Sequence, residues 1–185
     1  MNVIKTAFHP DVSPDDLSPE SGLKLIERHA ARGIVVRGET ILLLYTERYH
    51  DYSLPGGGID EGEDEVACLI RELEEETGAQ GVRNINAFAR YDEYRPWYKS
   101  DADVIYMISY CYVCEIDEEL GATAFESHEV SNGMKPVWMN IYEAIVHNEA
   151  VIANSDKKGL SIERETFLLR EIAETLVERQ LTEPA

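Results

Sequence analysis

Between residues 57 and 79 the chain reads GGIDEGEDEVACLIRELEEETGA, with Glu61, Glu63, Asp64, Glu65, Glu72, Glu74, Glu75 and Glu76 gathered around a single Arg71. If 64–77 is helical, Glu72, Glu75 and Glu76 stand at i, i+3 and i+4 and share one face. Like charges at that spacing destabilise an isolated helix by a few tenths of a kcal/mol per pair. A divalent cation between them would reverse the sign of that interaction. Three carboxylates with Glu63 nearby form an all-oxygen set, which suits Mg2+ or Mn2+; no His or Cys is placed to make it a zinc site. The competing reading is a solvated acidic face. Two neighbours weigh against it. A glycine loop before the helix lets backbone groups approach an anion or a metal. Arg71, four residues before Glu75, is placed to hold a carboxylate.

These residues need elements to position them. HAARGIVVRG and ETILLLYTERY read as two strands joined by a tight turn at 37–40, and SLPGGG as a strand ending in a special loop. Over 64–77, Val66, Leu69, Ile70, Leu73 and Thr77 recur at spacings of three and four, and Gly78 is the expected stop. VRNINAFARYDEY reads as a strand. DVIYMISYCYVCEI is apolar on both faces, which predicts a central strand. ESHEVSNGMK reads as a polar loop, PVWMN as a short strand, IYEAIVHNEA as a helix, and the tail from Ser161 as an amphipathic closing helix. Residues 1–22, with Pro10, Pro14 and Pro19, read as an irregular N-terminal arm ahead of one domain over 23–185. The expectation is a mixed α/β domain with a helix against a sheet.

In register, Gly57, Glu63, Arg71, Glu72, Leu73, Glu75, Glu76 and Gly78 fit the pattern G-x5-E-x7-R-E-U-x-E-E-x-G-U, with U an aliphatic residue. The chain thereby resembles the Nudix hydrolases. Ala79, at the last position, is smaller than the usual Ile, Leu or Val. The resemblance implies an α/β fold, specifically an α/β/α sandwich with a mixed β-sheet. It also implies hydrolysis of the pyrophosphate bond in a nucleoside diphosphate linked to another group, with Mg2+ or Mn2+ as cofactor. Glu72, Glu75 and Glu76 would be metal ligands, with the Gly57 carbonyl as a further one, and Glu63 and Arg71 would support them. Glu75 or Glu76 would also position the attacking water. A general base from a late loop is common in the family, and Glu126 and Glu129 are the candidates.

The substrate is less constrained. Arg90, Tyr94, Arg95, Trp97 and Tyr98 combine rings that can stack a base with cations that can meet phosphate, and Arg48 stands just before the glycine loop. A nucleotide sugar, an ADP-ribose-like compound, a dinucleoside polyphosphate and a nucleoside triphosphate all stay open. Seventeen Lys and Arg against 36 Asp and Glu leave a net charge of −19, which disfavours a nucleic acid duplex as partner. No apolar run reaches the ~20 residues of a membrane span. Three cysteines and no secretory signal point to the cytoplasm. Cys111 and Cys114, three apart on a strand, face opposite sides and read as buried packing residues. Family members are often homodimers. The competing function is a non-catalytic nucleotide sensor; such proteins usually lose box glutamates, and this chain keeps them.

Overall fold

The computed structural model describes residues 1–97 and 99–178. Two four-stranded sheets carry the domain. The first has the order β1 (Val3–Phe8), β6 (Arg83–Pro96), β7 (Val104–Glu115), β2 (Leu25–Ile34). In it β1 runs parallel to β6, β6 antiparallel to β7, and β7 parallel to β2. The second holds β3 (Val36–Arg37), β4 (Thr40–Thr46) and β5 (Asp51–Ser53), with β8 (Met134–Asn140) on the other edge of β4. The helices are α1 (Glu65–Thr77), α2 (Ser127–Ser131), α3 (Ile141–Asn154) and α4 (Ile162–Ile172), the last extended by a π-helical turn over Ala173–Val177.

Alternation along β4 explains the layers. Ile41 and Leu43 enter one apolar cluster with Ile141, Ala144, Leu168 and Leu169 of α3 and α4. Leu42 enters the other, with Cys68, Leu69 and Leu73 of α1. Successive strand residues face opposite sides, so this strand is buried twice and helices cover both faces, as the α/β/α expectation required. Cys111 and Cys114 divide in the same way, one into each cluster, and all three cysteines are free. Ala79, 2% exposed, packs within the α1 cluster. Among the described residues no helix is long and apolar enough to cross a membrane.

Three local readings change. The tight turn joins only β3 to β4; β2, expected as the hairpin's first strand, crosses to pair with β7. Residues 3–8, expected in an irregular arm, form a parallel edge strand on β6. The expected polar loop contains α2, where the Glu126 backbone N–H donates to Glu129 Oε2 at 2.6 Å. That bond satisfies an orphan donor at the start of the helix.

Candidate active site

The box helix starts and stops where its end residues dictate. Asp64 Oδ1 accepts the Val66 and Ala67 N–H groups at 2.9 and 3.0 Å, an N-cap worth about 1 kcal/mol. Gly78 ends it in the left-handed region at φ 70°, with the Gly121 carbonyl so close that a side chain would overlap it. Of the expected apolar face, Leu69, Leu73 and Thr77 turn inward together with Cys68, whereas Val66 is exposed. Glu72 and Glu76 are buried too, at 9% and 4% exposure. A solvated acidic face would not do this.

The glycine loop lies against β2. Ala31 N–H donates to the Gly57 carbonyl at 3.0 Å, Gly33 N–H to Pro55 at 2.8 Å, and Ile59 N–H to His29 at 3.0 Å. Gly57 thereby lies against Glu72, close enough that a Cβ would collide with the carboxylate. Gly56 N–H donates to Glu76 Oε2 at 2.6 Å. Arg71 holds the rest. Its Nε and Nη2 grip Glu63 at 2.9 Å each, and Nη1 reaches Glu72 Oε1 at 2.8 Å and Glu75 Oε2 at 3.4 Å. Its bonds draw the Glu63 carboxyl down to about 2. Burial raises the Glu72 pKa against the opposing pull of Arg71, and pushes Glu76 well above the usual carboxylate range.

Glu72, Glu75, Glu76, Gly57, Arg71, Glu126 and Glu129 all line one cleft of about 460 Å³. Glu129 is 9% exposed and near enough to Glu76 to raise its pKa, whereas Glu126 turns outward and pairs with His128 at 3.1 Å. Among the described residues no three His, Cys, Asp or Glu groups are gathered as a finished metal cage. The geometry shows why: Arg71 Nη1 draws Glu72 and Glu75 to itself. The donor set nevertheless fits a hard cation. It is all oxygen, and the Glu76 carboxyl, buried against the Gly56 N–H, has a raised pKa that a divalent ion's charge would offset.

A second cleft, about 690 Å³, shares Gly56, Glu76 and Met134 with the first. Arg48 and Arg95, both expected at the substrate, line it. The other expected contacts lie elsewhere. Arg90 Nε and Nη2 bind Asp92 at 2.6 and 2.7 Å, Nη2 also meets Tyr106 Oη at 2.8 Å, and Arg90 is not among the wall residues of either cleft. Tyr94 is stacked between Phe8 (5.0 Å) and Tyr106 (4.5 Å) and lines a smaller pocket beyond Arg95. Trp97 donates Nε1 to Asp101 at 2.8 Å. Tyr98 lies outside the described residues. Sequence reasoning passed over Arg32, Asp51, Lys158 and Arg164, which also line the second cleft. Arg32 left a trace, a charge interrupting the apolar run AARGIVV; the others look like ordinary loop and helix charges.

The sequence profile described as the NUDIX domain matches residues 27–160. The RNA pyrophosphohydrolase of Bartonella quintana (strain Toulouse) is 43% identical over 56 residues, 30% of this chain and 29% of that protein. The match thus spans under a third of the relative's length. Among solved structures, the NUDIX hydrolase from Nitrosomonas europaea superposes with a TM-score of 0.54 at 12% identity, covering 80% of this chain and 90% of that one. The MutT protein from Bacillus halodurans gives 0.51 at 16% identity, covering 80% and 83%. At such identities the structural likeness is one of fold, while the profile spans the greater part of the chain and takes in the whole glutamate box: this chain belongs to the Nudix hydrolase family.

Proposed function

We propose that the chain is a pyrophosphohydrolase that uses Mg2+ or Mn2+ to cleave the diphosphate bond of a small nucleotide-derived compound. One observation carries the reading: two buried glutamates of one helix share a cleft with a glycine loop and with a separate inward-facing carboxylate, Glu129. Glu72, Glu75 and Glu76 hold the ion, with the Gly57 carbonyl beside them. When bound, the ion offsets the anionic charge of the pyrophosphate and activates water. Glu63 holds Arg71, and Arg71 aligns Glu72 and Glu75, so supporting groups fix the ligands as outer shells do. Glu129 has Oε2 on the Glu126 N–H, which leaves Oε1 to take a proton from the attacking water. The exposed Glu126 assists as a second acid at the rim. The three buried free thiols fit a cytoplasmic setting. Leu23 and Leu25, exposed at the start of β2, are candidate contacts in a homodimer.

The test is turnover across a panel of nucleoside diphosphate compounds with Mg2+ or Mn2+. Glu75→Gln and Glu76→Gln should each cost at least ~10-fold, about 1.4 kcal/mol in the barrier. Full activity in both variants overturns the assignment. Binding across the panel without any turnover would favour the sensor reading.

A further inference from the structure

Beside the acidic cleft the chain builds its opposite. In a protein of net charge −19, Arg32, Arg48, Arg95, Lys158 and Arg164 all line the second cleft, against Asp51, Glu76 and Glu165. Glu165 is already occupied: Arg164 Nη2 meets its Oε1 at 2.7 Å, and Leu54 N–H its Oε2 at 2.9 Å. Glu76 belongs to the neighbouring site. Glu93, just outside this wall, pairs with Arg164 and meets Arg95 Nη1 at 3.7 Å. Two other cations of the wall, Arg32 and Arg48, meet neutral groups. Arg32 Nη1 donates to the Gly56 carbonyl at 2.6 Å, and its buried Nε has no hydrogen-bond partner among the described residues. Arg48 Nη1 donates to the Asn132 side-chain oxygen at 3.1 Å, and its guanidinium lies 5.4 Å from the Tyr49 ring centre. Lys158 Nζ reaches the Ile152 carbonyl at 3.5 Å and Glu163 at 3.9 Å.

Two guanidinium groups met by neutral partners place positive potential between low-dielectric walls, and guanidinium groups match phosphate oxygens. Gly56 and Glu76 belong to both walls, so a ligand cut at the glutamates reaches the cations without leaving the protein. We propose that the second cleft is an anion subsite and that the preferred substrate carries at least one phosphate beyond the pyrophosphate that is cut. That extra group is a continuation of the phosphate chain or a phosphoester on the group beyond it. The proposal rests on the hydrolase reading for its position in the substrate, though the subsite itself can be tested without turnover. Nucleotide sugars with a neutral sugar become poor substrates.

The first experiment is calorimetric titration of the full chain with inorganic tripolyphosphate in EDTA. Wild type should bind, with affinity falling as salt rises. The Arg48→Gln/Lys158→Gln pair, both exposed and so tolerated by the fold, should bind at least ~10-fold more weakly. Arg83→Gln, which removes a charge outside the cleft, should bind as wild type does. Absence of binding, or equal binding by the double variant, overturns the subsite. The second experiment compares kcat/KM on a dinucleoside tetraphosphate, on a nucleoside diphosphate sugar bearing a distal monophosphate, and on the same sugar without it. Wild type should favour one of the first two by at least ~10-fold, which identifies the source of the extra charge, and the double variant should lose that preference. Equal rates on all three refute the specificity. Binding of tripolyphosphate with no cleavage of any compound keeps the subsite and removes the hydrolase reading.

Discussion

Gly57→Ala separates the position of Glu72 from the stability of the fold. Gly57 is not among the residues at positive φ, so alanine is conformationally permitted. The added methyl would overlap Glu72 Oε1 most closely and sit 2.5 Å from its Cδ, where ordinary contact begins at 3.4 Å, so the carboxylate must retreat by about 1 Å. The atom displaced is the end of a flexible side chain, and alanine also lowers the entropy of the unfolded chain by ~0.4–1 kcal/mol. Net stability should therefore stay within about 1 kcal/mol of wild type. Activity should not survive so well, because a misplacement of ~1 Å in a catalytic group costs about 10²-fold, or about 2.7 kcal/mol in the barrier. The internal control is the next residue: a Cβ on Gly58 finds its nearest neighbour, the His29 carbonyl, at 4.0 Å. Thermal unfolding and initial rates of Mg2+-supported hydrolysis are measured on both variants. Gly57→Ala should be folded and about 100-fold slower, and Gly58→Ala within ~3-fold of wild type. Undiminished activity in Gly57→Ala, or equal damage in both, would refute the reasoning.

Asp51, 5% exposed, is pushed up to about 6 by burial and then by Glu165. With the folded-state pKa above that of the unfolded chain, its contribution is complete below about pH 4 and lost as pH rises through about 6, a change of about 3 kcal/mol. Asp51→Asn should remove that loss, so the variant gains on wild type in urea titrations at pH 8 but not at pH 4; parallel pH profiles would contradict this. Arg90→Gln leaves Asp92 buried without its cation, so stability should fall by ~3 kcal/mol while kcat/KM stays within ~3-fold; a large rise in KM would instead place Arg90 at the substrate. Burial pushes Cys68 and Cys114 up to about 11 and Cys111 up to about 12. All three thiols should therefore resist a disulfide reagent at pH 8 until the chain is denatured; prompt labelling of the native protein would count against the burial.

What the sequence disclosed was local chemistry with fixed spacing. The ends of α1 follow from Asp64 and Gly78, each acting within a turn of itself, and the alternation of β4 follows from an unbroken apolar run. Partners distant in the chain were not legible. Val3 meets Arg90, so the six residues of β1 carry no sign of their place in the sheet. Arg90 and Arg95 look alike in sequence, yet five residues along one strand give one to Asp92 and the other to a cleft. The burial of Glu72 and Glu76 inverted the usual expectation for an acidic helix, since hydropathy cannot register carboxylates met by an arginine and by a glycine-loop N–H. The second cleft draws Arg32, Arg48, Arg95 and Lys158 from four distant segments, and no spacing rule links them.

The central claim is that Glu72, Glu75 and Glu76 together hold a divalent ion. Titration of Mn2+ into the protein, with free ion counted by electron paramagnetic resonance, addresses it without any substrate. Wild type should take up Mn2+, and single Gln replacements at 72, 75 and 76 should each weaken that uptake at least ~10-fold, with competition by Mg2+. Uptake unchanged by all three replacements, or no uptake by wild type, would contradict the account.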